Sequence, residues 1–162
     1  MTDMISATEL CTADITLVDD APLPVGRSPW RNRRVSYIAG GTFTGARLSG
    51  VVLPGGGDWS ELGQLEGGDA VTVIDVRSVW RTDDAALIYV TYTGRLVIPA
   101  EVLADFRDPA KVEGIDAGRY YFRIQPTFET AGAKYGWLNA LAAVGYGERT
   151  ARGVRYRIFA LD

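Results

Sequence analysis

The sequence predicts an all-β fold of about eight antiparallel strands, arranged as a barrel or a sandwich. Short runs of Val, Ile, Thr, Tyr and Phe recur along the chain, and 19 Gly and 7 Pro residues punctuate them. One segment, Pro99–Phe106, has helical character, because it begins with Pro and places its apolar residues on one side. We therefore expect one short loop helix. A length of 162 residues predicts a single domain over residues 1–162.

Period-two alternation gives the predicted strands, which are separated by turn signals such as Gly55-Gly56-Gly57 and Gly145 to Gly147. The paired Asp83 and Asp84 resemble an acidic pair for calcium, but adjacent strand residues face opposite ways, so a hairpin turn is favoured. The predicted strands are Asp14–Val18, Arg34–Ile38, Arg47–Leu53, Ala70–Ser78, Ala86–Tyr92, Arg119–Gln125, Asn139–Val144 and Val154–Leu161.

The composition excludes several kinds of catalytic site. The chain has no His and a single Cys, so a Ser-His-Asp triad, a His-ligated metal and an internal disulfide are all excluded. A general acid or base must then be Asp, Glu, Tyr, Lys or Cys11, and Cys11 has no basic neighbour in sequence to activate it. We predict no cofactor and no bound transition metal.

Charge and hydropathy indicate which partners to expect. The net charge is -3, and the one basic cluster, Arg27–Arg34, is interpreted as a solvated loop, so nucleic acid is not expected as a partner. The N-terminus lacks a secretory pattern, and no apolar run approaches the roughly 20 residues needed to cross a bilayer. We therefore expect a cytoplasmic protein that does not bind membranes, with a homodimer left open.

Three predicted strands carry polar side chains along one face. Asp75 and Arg77 share a face, as do Tyr121 and Arg123, while Tyr89 shares its face with Leu87, Thr91 and Thr93. These faces either meet water or line a barrel wide enough for one small ligand. Alternation alone does not say which face points inward.

Four segments together resemble the DUF3237 family, also known as the UPF0311 proteins. They are GGTFTGARLSGVVLPGGGDW (Gly40–Trp59), DVRSVWRTDDAALIYVTY (Asp75–Tyr92), YFRIQPTFET (Tyr121–Thr130) and YGWLNALAAVG (Tyr135–Gly145). Ala85-Ala86 departs from the Gly-Ala that the family usually has after the paired Asp. The resemblance spans about Leu10 to Leu161 and implies a compact, calycin-like antiparallel β-barrel. It also favours a strand at the helix-prone segment Asn139–Val144.

The resemblance implies less about activity. The family name records an unknown function, and some members are encoded near catabolic or secondary-metabolite genes. That context suggests cofactor-independent chemistry on small organic molecules. The leading hypothesis is a lyase, isomerase or cyclase acting on a small, partly aromatic substrate. The alternatives are a non-catalytic protein that binds a small molecule and a purely structural barrel.

Asp58 is the first candidate acid–base group. It follows three glycines, which allow a tight turn and a close approach of the backbone to a ligand, and it precedes Trp59. A buried carboxyl group beside an indole can have a raised pKa, which suits proton transfer. In the competing interpretation Asp58 only caps a turn by accepting hydrogen bonds from nearby amides.

Arg77 and Arg123 lie in the middle of predicted strands. A buried Arg needs an anion, which could be an internal carboxylate such as Asp75 or Glu129, or a negatively charged oxygen of a substrate. In the second case the Arg would stabilise charge that develops during proton abstraction. Both interpretations remain open from the sequence.

The segment after Pro126 supplies the remaining candidates. Glu129 follows this Pro, which we expect to end the strand ladder. Tyr135, Trp137 and Asn139 would share one face if their segment is a strand, either as a core corner or as an aromatic wall with one orienting amide.

The predicted site combines these residues. We expect Arg77, Arg123 and Tyr89 to face the barrel interior, with Asp58 or Glu129 at its mouth. The predicted catalytic residues are Asp58, Glu129, Arg77 and Arg123. The predicted substrate-binding residues are Trp59, Tyr89, Tyr121, Tyr135, Trp137 and Asn139.

Overall fold

A computed structural model describes residues 4–19 and 22–162 as a closed antiparallel β-barrel. The strands are β1 (Ala7–Leu17), β2 (Leu23–Arg27), β3 (Asn32–Thr44), β4 (Ser49–Val52), β5 (Gly57–Gln64), β6 (Ala70–Thr82), β7 (Leu87–Ile98), β8 (Tyr121–Glu129), β9 (Ala143–Arg149) and β10 (Gly153–Leu161). The predicted all-β barrel is confirmed.

Pairing of β1 with β3 closes the barrel. The path runs β1-β10-β9-β8-β7-β6-β4-β3-β2, and β1 also pairs with β3 through Thr12–Leu17. The strands β4 and β5 fill in succession the gap between β3 and β6, so eight positions surround the interior. The remaining strand, β2, pairs with the first residues of β3, Asn32 to Val35, beyond the stretch of β3 that pairs with β1.

A single α-helix, α1 (Leu103–Arg107), occurs in the described ranges and overlaps the predicted helical segment. It is preceded by a turn in which the Val102 N–H donates to the Pro99 carbonyl. Short 3-10 turns occupy Val112–Gly114, Ala117–Arg119 and Ala133–Ala140. The edge-to-face contact of Phe106 with Tyr120, with ring centroids 5.0 Å apart, fixes α1 against one end of the barrel.

Large aromatic side chains fill half of the barrel. Trp80 is fully buried, stacks on Phe43 at 4.7 Å and meets the edge of Phe128 at 6.3 Å. Smaller side chains point inward along the other half of the same strand, where Thr72, Ile74 and Val76 face the interior. The interior is therefore packed at the Trp80 end and leaves a cavity at the end covered by α1.

Three local predictions were wrong. Asn139–Val144 is not a strand, because a 3-10 turn runs to Ala140, β9 begins only at Ala143, and the predicted turn at Gly145 to Gly147 lies within β9. Pro126 does not end its strand, and β8 continues to Glu129. Since β9 pairs with β8 only at Arg123 and Ile124, the missing N–H of Pro126 interrupts no ladder on that side.

The basic cluster is also not simply a solvated loop. Ser28–Arg31 forms the turn between β2 and β3, but Arg34 belongs to β3 and points into the barrel. The predicted turn at Asp83 and Asp84 is confirmed, between β6 and β7.

Candidate functional site

The half of the barrel beside α1 contains a cavity of about 500 Å³. Its wall is formed by inward-facing residues of eight strands, its rim by α1 and by the segments around Asp19 and Arg152. A volume of this size lies within the range of small-molecule sites, roughly 300–1,000 Å³. Most of the wall is apolar, but one carboxylate, two arginines and two phenols interrupt it. They are Asp58, Arg34, Arg149, Tyr92 and Tyr156.

Asp58 is the carboxylate within this cavity. Its strand β5 pairs with β3 and β6, and its cross-strand neighbours Ser36 and Val76 also line the cavity. Burial raises the pKa of the Asp58 carboxyl to about 6. The hydrogen bond from the Asp75 backbone N–H and the charge of Arg34 both act to lower this pKa but do not cancel the effect of burial. A carboxyl group with this pKa can both accept and donate a proton near neutral pH.

The glycines before Asp58 place it there. Gly55 has a φ of 102°, a left-handed conformation that favours glycine, and Gly56 lies so close to β6 that a Cβ would stand 2.5 Å from the Arg77 carbonyl oxygen. The expected tight turn is therefore present. The close backbone approach, however, is to the neighbouring strand.

Arg34 supplies the positive charge that acts on the Asp58 carboxyl group. It lines the cavity from β3, and its Nε is buried without a hydrogen-bond partner in the part of the chain that the structure describes. Burial lowers the pKa of Arg34, the Asp58 charge opposes this change, and the nearby Arg107 adds to it. A buried guanidinium group with an unpaired donor lacks part of the stabilisation that water would give it.

Arg149 lies at the end of β9 on the same cavity. Its Nη1 donates to the carbonyl oxygens of Thr150 at 2.6 Å and Gly153 at 2.5 Å, which anchors one edge of its guanidinium group. Burial lowers the pKa of Arg149, and the charge of Arg34 lowers it further. The two arginines are therefore close enough to repel each other inside one cavity.

Two phenols complete the polar lining. The rings of Tyr92 and Tyr156 meet edge to face with centroids 5.3 Å apart, and both side chains are buried. Burial raises the pKa of each phenol above its ordinary value, so both remain protonated at neutral pH. They can therefore donate hydrogen bonds into the cavity.

The mouth of the cavity carries further charge. Arg152 and Asp19 form an exposed ion pair there with an N–O distance of 3.6 Å, and Arg107 of α1 lies at the rim. Among the residues that the structure describes, four arginines and two aspartates line the cavity, in a chain whose net charge is -3. The cavity is thus a positively charged concavity in a negatively charged protein.

The predicted inward orientation of Arg77, Arg123 and Tyr89 is wrong. All three point out of the barrel, because the opposite faces of their strands supply the large apolar side chains that fill it. The Arg77 side chain is 52% exposed and pairs with Asp75 at 3.6 Å in a shallow outer groove. Arg123 lies 4.0 Å from the ring centroid of Tyr146. Their polar faces meet water, which was the simpler of the two interpretations.

The other outer-surface candidates are Glu129, Tyr121 and Trp59. Glu129 and Tyr121 are exposed on β8, so Glu129 is not at the mouth of the cavity. Trp59 faces away from Asp58, its neighbour in sequence, and lies 5.4 Å from the Arg77 guanidinium carbon on the outside. The indole next to Asp58 in sequence is therefore not part of the cavity wall.

Tyr135, Trp137 and Asn139 lie in the 3-10 turn Ala133–Ala140, away from the cavity. The Tyr135 hydroxyl donates to Asp84 at 2.7 Å, and Trp137 stacks under Arg47 at 3.7 Å. Asn139 accepts a hydrogen bond from the Thr130 N–H and donates to the carbonyls of Thr130 and Gly136. The structure thus uses Asn139 to satisfy backbone groups and does not place it at the cavity as a substrate-binding residue.

Of the ten predicted site residues, Asp58 is the one that lines the cavity. Sequence reasoning missed Arg34, Arg149, Tyr92 and Tyr156. The alternation of side chains along the strands could have identified three of them. Tyr92 alternates with Ile88 and Val90, Tyr156 alternates with Val154 and Ile158, and Arg34 alternates with Ser36 and Ile38.

Side chains that could ligate a metal ion are scattered over the barrel. Within residues 4–19 and 22–162, no cluster of three or more Cys, Asp or Glu side chains converges in a way that could bind one. No helix in the same ranges is long and apolar enough to cross a membrane.

Comparison with known sequences gives a consistent result. The profile of the family described as "Protein of unknown function (DUF3237)" matches residues 6–161. A UPF0311 protein of Clostridium acetobutylicum is 34% identical over 125 residues, which cover 76% of this chain and 75% of that protein. A UPF0311 protein of Rhodopseudomonas palustris is 34% identical over 119 residues, covering 74% of this chain and 73% of that protein.

Solved structures share the fold. A β-barrel-like protein of Acinetobacter baumannii matches with a TM-score of 0.79 at 33% identity, covering 100% of this chain and 99% of that one. A conserved protein of unknown function from Rhodopseudomonas palustris matches with a TM-score of 0.86 at 27% identity, covering 99% and 100%. A protein described as an enzyme from Penicillium herquei matches with a TM-score of 0.69 at 19% identity, covering 100% and 98%, which shows a common fold.

Proposed function

We propose an activity for this chain, which belongs to the DUF3237 family of proteins of unknown function: it is a cofactor-independent acid–base enzyme that acts on a small, partly aromatic organic molecule in the barrel cavity. The reaction class is that of a lyase, an isomerase or a cyclase. The observation that carries the proposal is Asp58, a carboxyl group with a pKa of about 6 inside a cavity that also holds arginines and phenols.

Asp58 would act as the proton-transfer group. Near neutral pH most Asp58 side chains are ionised and can take a proton from a carbon or oxygen atom of the substrate. Returning that proton to another atom of the same molecule rearranges, cyclises or cleaves it, and the enzyme ends in its starting state. No redox step is needed, so no electron carrier is required.

The arginines and tyrosines would stabilise the intermediate. Proton removal leaves negative charge on the substrate, and Arg34 and Arg149 supply fixed positive charge on the wall of the same cavity. Tyr92 and Tyr156 would add hydrogen-bond donors and aromatic surface for the substrate body. The Penicillium herquei neighbour is described as an enzyme, which supports a catalytic use of this barrel.

A proton-exchange assay over several classes of compound tests this proposal. The wild type is incubated in D2O with a panel of aryl ketones, phenols and unsaturated aryl acids, and deuterium incorporation or product formation is followed by mass spectrometry. We expect exchange or conversion of at least one compound, loss of that reaction in Asp58→Asn, and retention in Glu129→Gln. Glu129 provides the matched control because it is an exposed carboxylate outside the cavity.

The second candidate function is non-catalytic binding of a small molecule. The apolar part of the cavity wall, which includes Ile38, Ile74, Leu96 and Phe122, favours it. Compounds that bind the wild type and Asp58→Asn equally, with no exchange or conversion in either, would establish binding and overturn the enzymatic proposal. An exchange rate in Asp58→Asn equal to that of the wild type would overturn the role of Asp58.

A further inference from the structure

The charges that line the cavity are unbalanced. Of the residues that the structure describes, four arginines and two aspartates line it, and one of these aspartates, Asp19, is paired with Arg152 at the mouth. Within the described part of the chain, Asp58 is then the one lining carboxylate left to compensate the charges of Arg34, Arg149 and Arg107. Even with Asp58 ionised, this part of the cavity therefore has an excess of positive charge.

The two interior arginines are not free to turn away from this charge. Nη1 of Arg149 is fixed by the carbonyls of Thr150 and Gly153, and Nε of Arg34 is enclosed by protein. Arg34 is nevertheless only partly buried, and it lines the cavity. Holding like charges together in a partly buried site costs free energy unless an anion compensates them.

The surrounding wall indicates what the rest of the ligand resembles. Phe122, Leu96 and Ile74 provide apolar surface, and the rings of Tyr92 and Tyr156 provide aromatic surface beside them. A molecule with one anionic group and an aryl or unsaturated body fits both halves of the lining.

We propose that the cavity binds a small organic carboxylate, with the carboxylate group held by Arg34 and Arg149 and the aryl or apolar body against Tyr92, Tyr156 and Phe122. This inference rests on the proposed function in that it concerns the same cavity, and it names the substrate class. A carboxylate is favoured over a phenolate because its two oxygen atoms can accept hydrogen bonds from two guanidinium groups at once. Asp58 is then left to transfer a proton at another atom of the substrate.

Binding of matched ligands tests the charge requirement. Cinnamate, cinnamamide and methyl cinnamate share a body and differ in the anionic group, and their affinities for the wild type can be measured by isothermal titration calorimetry. We expect cinnamate to bind at least about tenfold more tightly than the amide and the ester, as for a charge-assisted hydrogen bond. The preference should weaken as salt concentration rises.

Variants locate the anion. Arg34→Gln should reduce the preference for cinnamate over cinnamamide by about tenfold or more, Arg149→Gln should act in the same direction, and Arg34→Lys should retain part of the preference. Arg95→Gln is the matched control, because Arg95 adjoins the cavity residue Leu96 but points outward. It should retain the full preference.

Several outcomes would overturn the inference. These are equal binding of the acid and the amide by the wild type, no binding of cinnamate into the millimolar range, or an unchanged preference in Arg34→Gln. If Arg34→Gln does not fold, Arg149→Gln decides the question in its place. Because binding is measured without turnover, a failure here leaves any Asp58-dependent proton exchange intact. Conversely, carboxylate binding without exchange would remove the proposed enzyme and keep this inference.

Discussion

Oδ1 of Asp58 accepts a 3.1 Å hydrogen bond from the backbone N–H of Asp75, on the neighbouring strand β6. This bond fixes the carboxyl group against the barrel wall and favours its ionised form. Burial has the opposite effect and is the stronger influence, so the pKa rises to about 6. The position of Asp58 in the sheet therefore determines its protonation behaviour.

The free energy of unfolding should depend on pH because the pKa of Asp58 is raised in the folded protein. In the unfolded chain Asp58 loses its proton near pH 4, but in the folded protein it does so near pH 6, so the folded state binds more protons between these values. The Asp58 contribution is fully present below about pH 4 and is lost as the pH rises through about 6. The loss approaches about 3 kcal/mol for a shift of about two pKa units.

Comparison with Asp58→Asn isolates this effect. The difference in the free energy of unfolding between wild type and variant, measured by urea denaturation, should fall as the pH rises from about 4 to about 7. Glu129→Gln reports what loss of an exposed carboxylate does under the same conditions. A wild-type-minus-variant difference for Asp58→Asn that does not change with pH would contradict the raised pKa.

Arg77→Ala should have little effect on stability or on ligand binding. Arg77 is on the outer surface, and its ion pair with Asp75 is exposed on both sides, so its loss should change the free energy of unfolding by less than about 1 kcal/mol. Affinity for any cavity ligand should stay at the wild-type value, in contrast to Arg34→Gln. Thermal denaturation and calorimetry on the two variants check this, and a large drop in affinity for Arg77→Ala would argue for a site on the outer groove.

The alternation of side chains predicted which residues share a face but not which face points inward. Leu87 and Tyr89 share a face with threonines, and Ile88 and Val90 share the opposite face. Polar side chains on the first face could equally well have lined a wet interior. The structure resolves this through volume, because Trp80, Phe43 and Phe128 need the interior space.

Arg34 shows a second limit of sequence reasoning. Ser28–Arg31 forms a turn within an arginine-rich stretch, and a cluster of charges is usually solvated, yet the strand that follows carries one of these arginines inward. Arg149 belongs to the opposite side of the barrel, more than a hundred residues later in the chain. Only closure of the barrel brings these two arginines and Asp58 into one cavity, and no local pattern contains that information.

Ala85→Gly should stabilise the protein. Ala85 has a φ of 69° in the turn between β6 and β7, a left-handed conformation that strains a residue with a Cβ. Glycine removes this strain, and we expect a gain of about 1 kcal/mol, or an increase of about 2–4 °C in Tm.

Ala86→Gly is the control for that substitution. Ala86 lies in the same turn, where its N–H donates to Thr82 Oγ1, and a glycine there adds chain entropy to the unfolded state and removes a methyl group that packs against the core. We expect Ala86→Gly to lower Tm by differential scanning calorimetry while Ala85→Gly raises it. A decrease in both variants would show that the left-handed strain at Ala85 is too small to matter.

Asn139 should prove structural rather than catalytic. Its Oδ1 accepts from the Thr130 N–H at 2.9 Å, and its Nδ2 donates to the Thr130 and Gly136 carbonyls at 2.9 and 3.1 Å, so one side chain joins the end of β8 to the following 3-10 turn. Asn139→Ala should lower the free energy of unfolding by about 1–2 kcal/mol, since the side chain is exposed and water replaces part of what is lost. Cavity-ligand affinity should not change.

Asn139→Asp is the sharper variant, because it keeps the acceptor but replaces the donor with an oxygen that faces two carbonyl oxygens. We therefore expect Asn139→Asp to be at least as unstable as Asn139→Ala at neutral pH and to recover at acid pH, where the carboxyl group regains a proton to donate. Urea denaturation of both variants at the two pH values measures this. An Asn139→Asp variant as stable as the wild type at neutral pH would show that the two donated bonds contribute nothing.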